Sequence, residues 1–581
     1  MPAVDTTISA LEYWRNAEEQ RFAHDSDCPQ SFAATEYITK TRNSLALEMD
    51  AIALVMCSLR TRFNATAHVN RLPPEILARI FDLVQDIYPL RVQKHGERKG
   101  AYVGWLRVTY VCRQWRFAAL NHSNLWSNVD LGMDSQWPGE FLRRAQSAPI
   151  LFKYNMYACN RSAKRSMADV ADIVKNHLYH IQELHLLADM KDSQFLTGEA
   201  PVLERVVLLD QPPNRKYTGQ LLSLPTNLFS CNAPRLRELD ISRFNFAWPS
   251  LALFGGLVEL AITQPGHGNP TWRLFAEPPA ALRGFQEFVG ALSRMPALES
   301  LSIDSAVPLL PLGSTSHTMH APVATLPNLR TFYLGDHVLK CAVAMNHICM
   351  PSITAQEVIC TGDDDSERSS EAMIPWFTSL FSDLVPVRVL QIGDWTNGFN
   401  ITWDSFRAKD DDSEEKCQCN LFFNDSIDRS IAQLKAFCDV LPLESLEKIC
   451  VEFSDDSSWG VSDWSTFFRR CKNLRHLRVV RSYPIGLSDA SNSPMEEPTE
   501  RLFPFLKTLT FIGMNLKNRP DLRELCRNLV PSQKITLMDC TVDKAAISKL
   551  REEGIMILVE EAVSSGEDSE SDAASSANMS N

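Results

Sequence analysis

Residues 296–303 read Pro-Ala-Leu-Glu-Ser-Leu-Ser-Ile, and residues 327–334 read Pro-Asn-Leu-Arg-Thr-Phe-Tyr-Leu. Both stretches follow one phrase, in which three apolar residues occupy the first, fourth and sixth places after the opening pair. The fourth and sixth places are apolar and the fifth is not, which is the alternation of a strand with one buried face. The proline belongs in a loop, because it ends a preceding helix and cannot donate to a sheet ladder. The phrase therefore predicts a strand that is entered from a loop.

The same phrase recurs along most of the chain, with successive copies 21 to 59 residues apart. An irregular period of this size is typical of one supersecondary unit per copy. Proline stands before six copies, at Pro201, Pro234, Pro296, Pro327, Pro351 and Pro504. The copies are Ile181/Leu184/Leu186, Leu203/Val206/Leu208, Leu236/Leu239/Ile241, Leu257/Leu260/Ile262, Leu298/Leu301/Ile303, Leu329/Phe332/Leu334, Val387/Leu390/Ile392, Leu446/Ile449/Val451, Leu474/Leu477/Val479 and Leu506/Leu509/Phe511, with degenerate copies near Ile353 and at Ile535/Leu537.

Amphipathic stretches lie between the strand phrases. Three of them carry an apolar stripe at helical spacing, at residues 285–295, 431–441 and 522–529. Strands alternating with helices at this interval require parallel crossover units, and such units bury their apolar faces only by stacking on neighbours. The sequence therefore predicts an α/β solenoid with a parallel sheet.

This region resembles leucine-rich repeats of the long, irregular kind. The resemblance implies a horseshoe at residues 132–562. Most copies lack the usual Asn or Cys three places after the last strand position, and Cys540 is the clearest exception. We therefore expect uneven curvature and loops of varied length. Two acidic stretches, at residues 363–367 and 410–415, are predicted to be exposed insertions.

The N-terminal part predicts a small helical module. Residues 71–77 read Arg-Leu-Pro-Pro-Glu-Ile-Leu, in which the prolines and the glutamate favour a helix start. The stripe of this first helix is Ile76, Leu77, Ile80, Phe81 and Val84. A polar insertion at about 89–101 precedes a second helix with Trp105, Val108, Val111, Cys112, Trp115 and Ala119 on one face, and Leu125-Trp126 closes the module.

These pieces, in this order, resemble the F-box, and more narrowly the F-box-like proteins of mushroom-forming fungi. The resemblance covers residues 67–131 and implies a Skp-type adaptor as partner, through it a cullin-RING ubiquitin ligase, and no catalysis by this chain. The adaptor contacts that it implies are Leu72, Pro73, Ile76, Leu77, Ile80, Val111, Cys112, Trp115 and Trp126. A module of this size cannot hide so many large apolar groups, which also favours a protein partner.

Two segments precede this module. We predict a flexible segment at 1–39 and a lead-in helix at 40–66, whose stripe runs from Leu45 through Met49, Ile52 and Met56 to Leu59. We expect this helix to pack on the module behind it rather than to form a coiled-coil dimer, because three or four heptads are not present.

Composition narrows the class of protein. The 581 residues hold 58 Lys+Arg and 71 Asp+Glu, so the net charge of −13 disfavours binding to nucleic acid and to anionic membranes. The 15 scattered cysteines indicate a reducing compartment, and no run is long and apolar enough to span a membrane. We therefore expect a cytoplasmic or nuclear protein.

Other candidate sites are weaker. The spacing of His177, His180 and His185 and the Cys417-x-Cys419 pair are poor metal signatures, so we expect no metal and no cofactor. None of the short catalytic motifs with a mechanism is present. The tail at 563–581 is acidic and predicted to be disordered. Within it Ser565 and Ser569 are possible phosphorylation sites, because acid-directed kinases favour such contexts.

We therefore predict a substrate-recognition subunit, in which the F-box docks on the adaptor and the solenoid binds a protein substrate. The alternative is a repeat scaffold or ligand-binding protein whose F-box-like segment no longer engages a ligase.

Overall fold

The computed structural model describes residues 9–23, 34–90, 104–133, 136–157, 165–210, 221–265, 284–310, 322–351, 354–361, 370–381, 387–395, 398–408, 414–424, 427–453, 461–481, 503–517 and 534–560. These residues form two compact units, which divide between Leu125 and Trp126. The first unit is helical and the second contains a large sheet. No helix among the described residues is long and apolar enough to cross a membrane.

The helical unit begins with a helix that the sequence did not indicate. Helix α1, Ala10–Phe22, lies within the segment predicted to be flexible, and a capping box between Ser9 and Glu12 fixes its start. The lead-in helix α2 runs from Ala34 to Ala65 and is longer than predicted. A 3-10 helix, His68–Arg71, connects α2 to α3, Pro74–Ile87, which starts at the predicted prolines.

The predicted second helix of the module is two elements. A 3-10 helix spans Gly104–Tyr110, and α4 spans Arg113–Asn121. Cys112 separates them because its backbone is extended and its thiol caps α4 by accepting from the amide of Trp115. A further 3-10 helix, Ser123–Trp126, follows. The single apolar face expected from Trp105 to Ala119 is therefore wrong, since the chain turns at Cys112.

The two ends of the polar insertion meet at Gly104. A Cβ atom at this position would lie 2.7 Å from the carbonyl oxygen of Pro89 and 2.8 Å from that of Tyr88, and Gly104 has a φ of +47°. Only glycine tolerates both the close approach and the left-handed backbone. The chain therefore returns beside the point where it leaves α3.

The second unit contains strands that we number in chain order. They are β1 Asn128–Asp130, β2 Ile150–Asn155, β3 Ile181–Ala188, β4 Arg205–Asp210, β5 Leu222–Ser223, β6 Glu238–Ser242, β7 Phe244–Asn245, β8 Glu259–Thr263, β9 Ser300–Asp304, β10 Ala324–Thr325, β11 Thr331–His337, β12 Ile348–Cys349, β13 Ala355–Thr361, β14 Val387–Trp395, β15 Gly398–Ala408, β16 Glu414–Asn424, β17 Lys448–Phe453, β18 His476–Arg481, β19 Thr508–Ile512, β20 Lys534–Met538 and β21 Met556–Glu560.

Seventeen of these strands form one mostly parallel sheet, in which neighbours in space are almost always neighbours in the chain. Strands β5 and β7 pair separately, as do β10 and β12. The twelve strand phrases all fall in or beside main-sheet strands, from β3 to β20. Five main-sheet strands carry no predicted phrase, namely β1, β2, β15, β16 and β21. The mostly parallel sheet agrees with the predicted α/β class.

The phrases stack in register. Leu260 of β8 pairs with Leu301 of β9, which pairs with Phe332 of β11. The sixth places form a second row, in which Ile262, Ile303 and Leu334 pair in the same way and are buried. Equivalent apolar side chains therefore lie beside one another on the buried face of the sheet.

One part of the sheet departs from the predicted parallel order. Strand β15 is antiparallel to both β14 and β16, and the three strands occupy the sheet in reverse order between β13 and β17. Glu414 and Glu415 of the predicted exposed insertion begin β16, so this end of the acidic stretch lies in a strand. Residues 409–413 and the other acidic stretch, 363–367, lie outside the described residues. The strands β15 and β16 pair because apolar residues alternate along both, at Phe399, Ile401, Trp403, Cys419, Leu421 and Phe423.

A turn with a left-handed residue recurs after several strands. The second residue after the last apolar place has a positive φ at Arg243, Ser305, Arg481, Gly513 and Asp539. Where a described apolar residue follows it, as at Phe244, Ala306 and Met514, that residue is buried. At Cys540 the thiol donates to the Phe511 carbonyl at 3.4 Å. The turns are therefore held mainly by apolar packing, with a polar link at Cys540.

The described helices of this unit are α5 Trp137–Ala145, α6 Met167–His177, α7 Trp248–Leu251, α8 Phe285–Leu292, α9 Val338–Asn346, α10 Ile374–Ser379, α11 Ile427–Val440, α12 Val461–Arg469 and α13 Lys544–Glu552. Helices α8 and α11 fall on two predicted stripes, and Phe288 and Phe437 are buried in them. The third stripe, 522–529, lies outside the described residues.

A buried ion pair fixes the start of α9. Lys340 Nζ lies 3.2 Å from Asp336 Oδ1, and both side chains are almost fully buried. Asp336 accepts from the amides of Val307 and His337, and Lys340 donates to the carbonyl oxygen of Val307 at 3.0 Å. Burial of this pair is tolerated because hydrogen bonds satisfy both charged groups.

We expect Asp336→Ala to lower the free energy of unfolding by about 3–5 kcal/mol, because it removes the carboxylate that pairs with the buried ammonium group of Lys340. Arg330→Met is the matched control, since it breaks an exposed pair with Glu299 at 3.4 Å. The control should cost less than about 1 kcal/mol. Chemical denaturation measures both, and equal losses would contradict a structural role for the buried pair.

We expect Gly104→Ala to destabilise the helical unit by about 1–3 kcal/mol, because the backbone is left-handed and the new methyl group meets a carbonyl oxygen. Amide hydrogen exchange of α3 measures this loss as faster exchange. Gly139→Ala in α5 is the control, because nothing lies within 4 Å of its Cβ position. Unchanged exchange in α3 of Gly104→Ala would show that the ends of the insertion can separate.

Candidate functional site

Helix α3 has two apolar faces, and only one is buried. Leu77 and Phe81 are fully buried inside the helical unit. The opposite stripe is exposed, with Ile76 at 49%, Ile80 at 36%, Leu83 at 55% and Ile87 at 68%. The spacing of i, i+4, i+7 and i+11 places these four side chains on one helical face. We call this set the α3 stripe.

Trp115 of α4 packs against α3 and fixes which face is buried. Its ring lies 5.2 Å from that of Phe81, measured between centroids. Its indole Nε1 donates to Asn70 Oδ1 at 2.7 Å, and Asn70 Nδ2 donates to the carbonyl oxygen of Asn64 at 2.7 Å. Asn70 therefore links the end of α2 to α4, and Trp115 is a structural residue with part of its surface exposed.

Two further polar contacts hold the helices of this unit together. His122 Nε2 lies 2.9 Å from Asp82 Oδ1 of α3. Gln85 Nε2 donates to the carbonyl oxygen of Leu125 at 3.3 Å. Both contacts leave from the side of α3 that faces the rest of the unit, so the α3 stripe remains open.

The predicted adaptor contacts fall into three groups. Pro73, Ile76, Ile80 and Val111 are exposed. Leu72, Cys112 and Trp115 are half-buried. Leu77 and Trp126 are buried, so neither presents a side chain to the surface in this structure, and their adaptor contacts stay predictions.

Trp126 is buried for a specific reason. Its ring lies 4.9 Å from that of Phe141 in α5, and the guanidinium group of Arg144 lies 4.9 Å from its centroid. Both partners belong to the second unit, to which Trp126 itself belongs. The Leu125-Trp126 pair therefore marks the boundary between the units.

Two members of the α3 stripe, Leu83 and Ile87, were not predicted from the sequence. Their distances from Ile76, seven and eleven residues, repeat the helical period and could have identified them. The predicted stripe combined Ile76 and Leu77, although adjacent residues on a helix point about 100° apart.

The open face of the main sheet carries a shallow pocket of about 240 Å³ in the middle of the unit. It lies where β9, β11, β13 and β16 run side by side. The pocket is lined by Ser300, Leu301, Ser302, Thr331, Phe332, Tyr333, Ala355, Gln356, Glu357, Gln418 and Asn420.

The chemistry of this pocket is polar and acidic. Among its described lining residues Glu357 is the acidic one. The pKa of Tyr333 is raised by burial and by the negative charges of Asp304 and Glu357. Asn420 Oδ1 is buried and accepts no hydrogen bond from a described residue. The pocket therefore favours a ligand group that donates hydrogen bonds.

The three histidines do not form a metal site. His180 Nδ1 lies 3.0 Å from the carbonyl oxygen of Ala148, which can only accept, so this nitrogen donates. His180 Nε2 then accepts from His177 Nδ1 at 2.9 Å. Burial lowers the pKa of both imidazoles, which favours this neutral arrangement. His185 lies on β3 and contacts Glu183 at 3.2 Å instead.

No group of three or more His, Cys, Asp or Glu side chains that could hold a metal ion occurs in the part of the chain that the structure describes. Cys419 of the predicted Cys417-x-Cys419 pair is buried in β16. Ser565 and Ser569 lie outside the described residues and stay predictions.

Residues 69–132 match the model of the F-box-like family. No curated protein is similar enough to the chain to count as a match. The matched segment contains α3, α4 and the whole α3 stripe. The chain therefore contains an F-box-like domain at residues 69–132, which supports its identification as an F-box protein and suggests a role in binding a ubiquitin-ligase adaptor.

Proposed function

We propose that this protein is the substrate-recognition subunit of a Skp-cullin-F-box ubiquitin ligase. The observation that carries the proposal is the exposed α3 stripe within the F-box-like domain. Four large aliphatic side chains on one face of a helix are costly to leave in water, and a contiguous patch of this kind is typical of a protein interface.

In this proposal the adaptor contacts the α3 stripe together with Pro73 and Val111. The half-buried residues Leu72 and Cys112 contribute at its edge. The described residues on either side of the insertion meet where Gly104 approaches Tyr88 and Pro89, so α3 and α4 remain in one domain. This geometry supports adaptor binding despite the insertion.

The second part of the proposal concerns the sheet unit, which we regard as a leucine-rich-repeat-like solenoid. Three features support this interpretation: chain neighbours pair in the sheet, equivalent apolar positions stack in register, and a left-handed residue recurs after the strands. A stack of this kind presents one long open strand face.

We propose that a segment of the substrate lies across this open face and places one side chain in the pocket at Tyr333 and Glu357. A volume of about 240 Å³ suits one side chain rather than a folded domain. The carboxylate and the free amide oxygen favour a lysine or arginine side chain. The chain performs no chemistry itself in this proposal, and it contributes proximity to the ubiquitin-charged ligase subunits.

Ile80→Asp combined with Leu83→Asp should weaken adaptor binding by at least about 30-fold, because both charges would have to be desolvated in the interface. Co-purification and titration with a purified Skp-type adaptor measure this loss. Leu47→Asp combined with Leu54→Asp is the matched control, since both lie exposed on α2 outside the F-box-like domain. Failure of the wild-type protein to bind the adaptor would overturn the ligase proposal.

Tyr333→Ala combined with Glu357→Lys should reduce the set of proteins retained by wild type under substrate-trapping conditions, with adaptor binding unchanged. The reason is that the pocket loses its aromatic wall and reverses its charge. Quantitative proteomics of the trapped ubiquitinated proteins measures the change. Glu183→Lys on β3 is the control, because it makes the same charge change on the sheet away from the pocket. Equal losses for both variants would indicate a diffuse charge effect instead of a pocket contact.

A further inference from the structure

Helix α2 carries an apolar seam that no described residue covers. The structure extends this helix to 32 residues, Ala34–Ala65, and none of its described residues is buried. The added length changes the count of heptads. Apolar side chains follow the alternating spacing of four and three at Ile38, Leu45, Met49, Ile52, Met56, Leu59 and Phe63.

These seven residues occupy seven of eight successive a and d positions, with Arg42 as the exception. The seam therefore spans more than three heptads, which removes the reason for which we expected no coiled coil. The exposed fraction of the seven side chains ranges from 42% for Leu45 to 77% for Phe63. Among the described residues, α2 is linked to the module behind it at its C-terminal end, where Asn70 donates to the carbonyl oxygen of Asn64, and the seam itself stays exposed.

We propose that this seam is an interface with a second copy of the same chain, in which two α2 helices pair as a coiled coil. A partner must supply a seam of matching length, and 26 residues of helix span about 38 Å. Helices α3 and α11, at 14 residues each, are the next longest described. They reach only about 21 Å. Among the described helices, the α2 of another copy is therefore the fitting partner.

The size of the seam agrees with a stable pair. The seven seam side chains are about half exposed, so each helix leaves on the order of 600 Å² of apolar surface in contact with water. Pairing of two copies would bury on the order of 1,200 Å², which is the lower end of the range for specific interfaces. The flanking e and g positions are Thr39, Thr41, Ala46, Glu48, Ala53, Val55, Arg60 and Arg62, so most of them are uncharged and the like charges are the two arginines at one end of the seam. Glu48 is already bound by Arg21 of α1, whose Nε donates to it at 2.9 Å.

Such pairing would hold two sheets and two F-box-like domains in one assembly. A substrate with two recognition segments would then bind with increased avidity, because its second contact becomes intramolecular. The inference does not depend on adaptor binding, since the seam and the α3 stripe use different side chains on different helices.

Sedimentation equilibrium of the full chain tests the proposal. Wild type should have twice the chain mass of 65.5 kDa and dissociate on dilution. Ile52→Glu combined with Met56→Glu should weaken the dimer by at least about 100-fold, because it buries charges in the seam. Arg42→Leu should tighten it by at least about tenfold, because it completes the apolar seam.

Leu47→Glu combined with Leu54→Glu is the matched control, because it makes the same two changes on the outer side of the same helix, where both residues are exposed. This control should stay dimeric, and circular dichroism should show equal helix content in both double variants. A monomeric wild type, or equal weakening by both double variants, would overturn the proposal. Adaptor titration of the seam variant should match wild type, which separates this result from the proposed ligase role.

Discussion

The structure depends on the in-register stacking of equivalent apolar residues between parallel strands. Leu301 and Ile303 of β9 are buried beside the equivalent apolar residues of β8 and β11. A slip by one residue would turn every such side chain to the open face. Because only the strands must match, the segments between them can vary from one copy to the next. Register is therefore the fixed quantity, and loop length is free.

The same constraint explains how much of the fold the sequence predicts. A strand whose buried residues repeat the phrase can be identified from its spacing, as β9 and β11 were. Strands β15 and β16 cannot be identified in this way. An antiparallel hairpin needs only alternating apolar residues, and it lacks the first apolar position of the phrase, which precedes each parallel strand. The alternation at Phe399, Ile401 and Trp403 was visible, but the acidic residues beside it indicated a loop.

The candidate site was less predictable than the strands. The sequence shows which apolar residues α3 contains, but it does not show which of them are exposed. Leu77 and Ile76 are neighbours of similar size, yet Leu77 is fully buried and Ile76 is half exposed. The choice is made by Trp115, which packs on Phe81 and is itself held by Asn70 from outside α3 and α4. A contact between residues 45 positions apart leaves no local signal. Burial of Trp126 against Phe141 is equally non-local.

The helical unit also shows how marginal stability and binding are linked. Its described core contains few large side chains, among them Leu77, Phe81 and Trp105, while two apolar surfaces stay in water. A partner that binds only the folded unit raises the free energy of unfolding of that unit. The increase grows with the logarithm of the partner concentration divided by the dissociation constant of the complex. The α3 stripe and the α2 seam do not share residues, so occupying one leaves the other open. Exposed apolar area that weakens the isolated unit is thus the source of its capacity to assemble.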